Sequence, residues 1–130
     1  MKNSMKKFAL AAVAAVAFGA VAVFATTVSE CQTIIANLKT NTAAVTITGR
    51  QAEKDLAGLT VKLNEASAKL DQAKFCDSIQ KLNDFKARVN QLVAGGKLDA
   101  AAGQALLAEA DSAITCVNDL VTQSGTVCSF

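Results

Sequence analysis

Ala52, Leu56, Leu59, Leu63, Ala66 and Leu70 recur at intervals of 4, 3, 4, 3 and 4 residues. On an α-helix that spacing gathers all six on one face, whereas a strand would scatter them over both. Phe75, Ile79, Leu82, Phe85 (or Lys86), Val89 and Leu92 form a second such stripe, and Ala105, Leu106, Ala110, Ile114, Val117 and Val121 a third. Val28, Ile34, Ile35, Leu38 and Val45 mark another helix, whose end is weakened by the branched residues Thr40, Thr42, Thr46 and Thr48. No proline interrupts any of them. The pattern predicts helices over residues 28–46, 50–71, 74–94 and 99–122 in one all-α domain. Each helix is apolar on one side only, so each must bury that side against others, as in an up-down four-helix bundle.

The connections follow ordinary turn chemistry. Gly49 interrupts after the threonine-rich end of the first helix. Gly95 and Gly96 supply the left-handed conformation that stops a helix. Asp99 then offers a carboxylate to cap the free N–H groups of the next helix, with Leu98 before it as a hydrophobic staple. The stretch Gly95-Gly96-Lys97-Leu98-Asp99 thus reads as stop, turn and restart. At an offset of 44 residues the halves of the domain resemble each other. Ile35, Leu38 and Val45 align with Ile79, Leu82 and Val89, and Leu63, Glu65, Ala66 and Leu70 align with Leu107, Glu109, Ala110 and Ile114. Two similar helical hairpins are expected to pack face to face.

Ahead of this domain stands a segment of another kind. Lys2, Lys6 and Lys7 form a basic start, Phe8 to Ala25 carries no charge, and Val23-Phe24-Ala25 suits a signal peptidase. Residues 1–25 therefore read as a bacterial-style secretory signal peptide, itself helical, cut after Ala25, with residues 26–130 the mature domain. The apolar run is also long enough to stay uncut as a membrane anchor. A lipid anchor on Cys31 is disfavoured by Glu30, which stands where a small residue is needed. Removing Lys2, Lys6 and Lys7 from the 13 basic residues leaves ten against 11 acidic ones, so the net charge moves from +2 to about −1. The basic excess therefore belongs to the leader, and a nucleic-acid partner is not expected. Only Phe75, Phe85 and Phe130 remain as aromatics, too few for base stacking.

Four cysteines behind an export signal point to disulfides formed in an oxidising compartment. Cys31, Cys76, Cys116 and Cys128 allow three pairings. Cys76 lies 20 residues before the turn at 96 and Cys116 lies 20 after it, at equal heights on neighbouring antiparallel helices. On that ground Cys76–Cys116 is expected, and Cys31–Cys128 by elimination. A bridge closing such a loop stabilises by about 4 kcal/mol in the loop-entropy description. The spacing lacks the close pairs that a zinc site or a redox-active C-x-x-C needs, and no histidine is present to help.

Without histidine, serine- and cysteine-based triads and the usual general base are absent. The carboxylates Glu53 with Asp55 and Glu109 with Asp111 are two apart, so they point in different directions on a helix. The Gly-Gly-Lys run lacks the pattern and preceding strand of a phosphate loop. Phe130 is like the terminal aromatic of outer-membrane barrels, but nothing else reads as barrel strands. No catalytic, cofactor-binding or metal-ligating residue is expected.

From Gly49 to Val117 the chain resembles the FIMAH-type module, a small helical domain of bacterial secreted and cell-surface proteins. The likeness rests on Lys62-Leu63 with Ala66 and Leu70, on Cys76 followed by Leu82, Phe85 and Val89, and on Gly96-Lys97-Leu98-Asp99 followed by Leu106-Leu107, Ala110 and Ile114. Three departures stand out. The G-K-x-L element is one residue shorter, Asp99 replaces a Thr or Ser cap, and Ala102 replaces the Gln that would complete a capping box. The resemblance implies an extracytoplasmic accessory module and brings no catalytic residue. The expectation is a non-enzymatic secreted, periplasmic or cell-surface module that acts through its surface on a protein partner or as a structural part. An inhibitor of a secreted enzyme, or a carrier of a small apolar ligand, is the alternative.

Overall fold

The computed structural model describes residues 25–130. The expected leader helix falls on residues 1–24, outside the described residues. Four helices follow one another: α1 (Val28–Ala44), α2 (Ala52–Asp71), α3 (Phe75–Ala94) and α4 (Ala100–Ser124). Successive helices pack side by side and α4 returns to α1, so the four close into a square with every neighbour antiparallel. One end of the bundle carries the start of α1, the α2–α3 turn and the tail after α4. The opposite end carries the α1–α2 and α3–α4 connections.

The stripes meet in the middle. Ile35 and Leu38 from α1, Leu59, Leu63, Ala66 and Leu70 from α2, Ile79, Leu82, Phe85 and Val89 from α3, and Leu106, Ala110 and Val117 from α4 are buried together. Of the residues aligned by the internal repeat, Ile35 and Ile79, Leu38 and Leu82, and Ala66 and Ala110 are buried in both halves, whereas Val45, Leu107 and Ile114 are only partly buried where their counterparts are buried. The third stripe is shifted from expectation. Ala105 is exposed, while Gly103, Ala113, Cys116 and Leu120 join the buried face. Gly103 lets α4 lie close to α3: a Cβ there would fall 2.4 Å from Val93 Cγ2.

The starts of α1 and α4 are capped by side chains, whereas those of α2 and α3 carry no side-chain cap. Thr27 and Glu30 form a capping box at the start of α1, each side chain accepting from the other residue's N–H at 3.1 and 3.0 Å. Asp99 caps α4 through Ala102 N–H, as expected, at 3.2 Å. Gly96 takes a positive φ of 73°, with its N–H donating to the Val93 carbonyl and that of Lys97 to the Leu92 carbonyl. The same pair of bonds ends α2, but there a non-glycine residue, Ala73, sits at φ 60°. α1 stops two residues short of the expected end, at Ala44, and Val45 is extended. α4 runs two residues past its expected end, to Ser124.

Candidate functional site

The glycine turn at residues 95–99 packs against the α1–α2 connection at the same end of the bundle. Thr48 N–H donates to the Lys97 carbonyl at 2.9 Å, and Ile47 and Leu98 form an isolated antiparallel bridge. Lys97 Nζ reaches Asp55 Oδ2 at 3.4 Å, its stem passing over Gly49. The lysine at the turn's tip is therefore a fastener between the two loops of that end. Asp55 is thereby separated from Glu53 in role, and the other carboxylate pair divides likewise. Glu109 accepts from Asn41 of α1 at 2.8 and 2.9 Å, while Asp111 pairs with Lys86 of α3.

Further polar contacts run from helix to helix. Gln32 of α1 donates to the Ser67 carbonyl and to Asp71, and accepts from Ser67 Oγ at 2.6 Å. Lys39 donates to Asn64 at 2.8 Å. The buried Ser78 of α3 donates to the Ala66 carbonyl of α2 at 2.9 Å. Between α2 and α3, Glu65 Oε1 is shut off from solvent and accepts no hydrogen bond, yet it lies 3.7 Å from Lys62 Nζ and 3.6 Å from Lys81 Nζ. The exposed carboxylate Asp84 is 4.0 Å from the same Lys62. Although that one oxygen is covered, the side chains of these pairs are 28–45% exposed, so each ion pair contributes little to stability.

All four cysteines are bridged, and both bridges lie toward the end where α1 starts and α4 stops. The pairing differs from the expected Cys76–Cys116 and Cys31–Cys128: the bonds are Cys31–Cys116 and Cys76–Cys128. Counting residues from the turn gives a residue's height along the bundle but says nothing of the direction in which it points. Glu109, Ser112, Cys116, Asp119 and Gln123 share one face of α4, and that face looks at α1. Glu109 meets Asn41, Ser112 lines a groove with Ile34, and Asp119 accepts from Thr26 Oγ1 at 3.2 Å. Gln123, with its amide nitrogen toward the Thr26 carbonyl, donates there at 3.2 Å and accepts from Thr26 N–H at 3.0 Å. The 3-4-3-4 spacing of these residues was the available signal. After α4, Gly125 turns left-handed (φ 76°) and the tail leads Cys128 to Cys76 in the first turn of α3.

The two bridges differ in setting. Cys31 is fully buried and Cys116 is 8% exposed, both within the core. Cys76 and Cys128 are half-buried at its edge. Val127 and Phe130, at 87% and 75% exposure, are two of the three exposed large apolar side chains among the described residues; Val61 on α2 is the third.

Surface depressions are shallow. One of about 360 Å³ between α2 and α3 is lined by Gly58, Val61, Lys62, Asp84, Ala87, Arg88 and Gln91, and it opens to solvent, as do three others. Among the described residues no group of three or more acidic, cysteine or histidine side chains is placed to hold a metal ion, and no helix is long and apolar enough to cross a membrane. Two disulfides suit an oxidising environment outside the cytoplasm. No protein family matches the chain, and neither a characterised protein nor a solved structure is found similar to it.

Proposed function

We propose that the protein is a non-enzymatic helical module of the bacterial envelope or extracellular space, exported by residues 1–25 and acting through its surface as a protein-interaction or structural part. The single observation that carries this reading is where its polar side chains are used. Gln32, Lys39, Asn41, Ser78, Lys86 and Lys97 each reach across to another helix or loop. These cross-helix contacts, with the buried Ser78 link beneath them, hold the helices in one arrangement, which suits a rigid recognition body. The open, shallow depressions favour contact over a broad face above enclosure of a small apolar ligand. The likeness of residues 49–117 to the FIMAH-type module agrees with an extracytoplasmic accessory role.

Two experiments test it. Amino-terminal sequencing of the exported protein should begin at Thr26; a chain that still begins at Met1 in the membrane fraction would establish the anchored form instead. Affinity capture from envelope extract with the tagged protein should recover a partner that excess untagged protein displaces. Recovery of nothing displaceable above background counts against the interaction reading.

A further inference from the structure

We propose that the Cys76–Cys128 bridge is a thiol-exchange site, opened by small thiols or protein dithiols, whose reduction frees the tail while the bundle stays locked by Cys31–Cys116. Access is the first ground. A thiolate must reach a sulfur to attack it. Cys31 is closed off within the core and its partner Cys116 is 8% exposed, whereas both Cys76 and Cys128 are half-buried at the bundle's end.

The second ground is the leaving group. Cys76 is the second residue of the 20-residue α3, and the N-cap residue Lys74 makes no side-chain bond to the free N–H groups there. Those N–H groups, the helix dipole and the Lys74 charge favour a thiolate at Cys76, against the opposing charge of Asp77 in the same turn. Cys31 has no such position, because it lies a turn inside α1 behind a completed capping box. Attack is therefore directed at Cys128 Sγ, with Cys76 leaving.

The attacking thiolate forms a bond to Cys128 Sγ, the bond between Cys76 and Cys128 breaks, and its electron pair stays on Cys76 Sγ. A second thiol, or the other arm of a dithiol, then attacks the incoming sulfur and releases the Cys128 thiolate. Two thiols become one disulfide, and the protein pair gains two electrons and two protons. The two reagent thiols supply both, and the protein thiolates regain their protons through solvent.

The third ground is what the bond holds. The last backbone bond of the tail runs from Thr126 N–H to the Val121 carbonyl, and among the described residues no hydrogen bond is made beyond Thr126. Cys128 is the tether for Val127, Ser129 and Phe130. Opening it releases a strand with two exposed apolar side chains and a thiol able to join another thiol-bearing protein. The core residues and the Cys31–Cys116 bond lie outside this change.

The test uses the full oxidised protein. It is exposed to increasing dithiothreitol or glutathione, quenched with an alkylating maleimide, and weighed and mapped by mass spectrometry. The expected product carries two labels, on Cys76 and Cys128, formed at least about tenfold faster than any label on Cys31 or Cys116. With glutathione alone, the transient adduct should sit on Cys128. The circular dichroism of the helices should be unchanged, while carboxypeptidase, which halts at the bridged Cys128 of the oxidised protein, should proceed past it. Lys74→Glu should slow opening roughly two- to fivefold, and Asp77→Asn should speed it by a similar factor. In the paired variant Cys76→Ser with Cys128→Ser, the remaining bridge should resist the same thiol. Simultaneous opening of both bridges, earlier opening of Cys31–Cys116, or loss of helicity with the first two labels overturns the proposal. An adduct on Cys76 overturns the assigned direction of attack.

Discussion

Replacing Gly103 by alanine sets two effects against each other. In an ordinary helix interior the change stabilises by about 1 kcal/mol, because glycine loses more backbone freedom on folding. In α4 the added Cβ would lie 2.4 Å from Val93 Cγ2, with Val89 Cγ1 at 3.6 Å and Leu98 Cδ2 at 3.7 Å. Val93 is branched at Cβ and holds one favoured rotamer on a helix, so it yields only by leaving that rotamer or by α4 backing away from α3. Overpacking of this kind costs about 1–3 kcal/mol. The balance is a net destabilisation of about 1 kcal/mol. Gly58 is the internal control. A Cβ there would lie 2.9 Å from Arg88 Nη2, the far end of a flexible, exposed side chain that can move aside. Gly58→Ala should therefore stabilise by up to about 1 kcal/mol. The assay is urea unfolding of both variants with the disulfides intact, followed by circular dichroism, with thermal midpoints as a second reading. In a domain of this size each kcal/mol moves the midpoint by about 4–8 °C, so the two variants should shift in opposite directions. A Gly103→Ala protein as stable as Gly58→Ala would refute the argument that α4 rests on Val93. Adding Val93→Ala to Gly103→Ala should recover part of the loss, a coupling of at least about 0.5 kcal/mol.

Three further outcomes follow from the same geometry. Ala73 occupies a left-handed position at the end of α2 that glycine adopts freely, so Ala73→Gly should stabilise by about 1 kcal/mol in urea unfolding, where most alanine-to-glycine changes destabilise. Ser78→Ala removes the buried link from α3 to the Ala66 carbonyl and should cost about 1 kcal/mol by the same measurement. Proteolysis without reduction should yield peptides joined as Cys31–Cys116 and Cys76–Cys128, and replacing the first pair by alanine should lower stability by about 4 kcal/mol, since it closes an 85-residue separation.

Much of this architecture was written in side-chain periodicity. The stripe from Ala52 to Leu70 and the one from Phe75 to Leu92 each needed only local spacing to declare a helix and its inner face; Leu59 to Leu70 and Ile79 to Leu92 are buried as expected, while Ala52, Leu56 and Phe75 at the stripes' starts are only partly buried. Asp99 and Gly96 were legible for the same reason, because capping and left-handed turns depend on neighbours a few residues away. The end of α2 gave no such cue, since alanine stands at the left-handed position that glycine usually marks. Lys97 and Asp55, 42 residues apart, were each ordinary in sequence, and only the pairing of the two loops joined them.

Four amphipathic helices, their order and most of the inward residues of α2 and α3 were determined by the sequence itself, because a helix has a fixed period and an apolar stripe must be buried. The rotation of each helix about its axis against two neighbours at once was decided only in the folded bundle. That rotation turned Cys116 toward α1 and left Cys76 for the tail. It also set Gly103 against Val93. Height along a bundle can be counted from a turn; direction around it depends on how all four surfaces interlock.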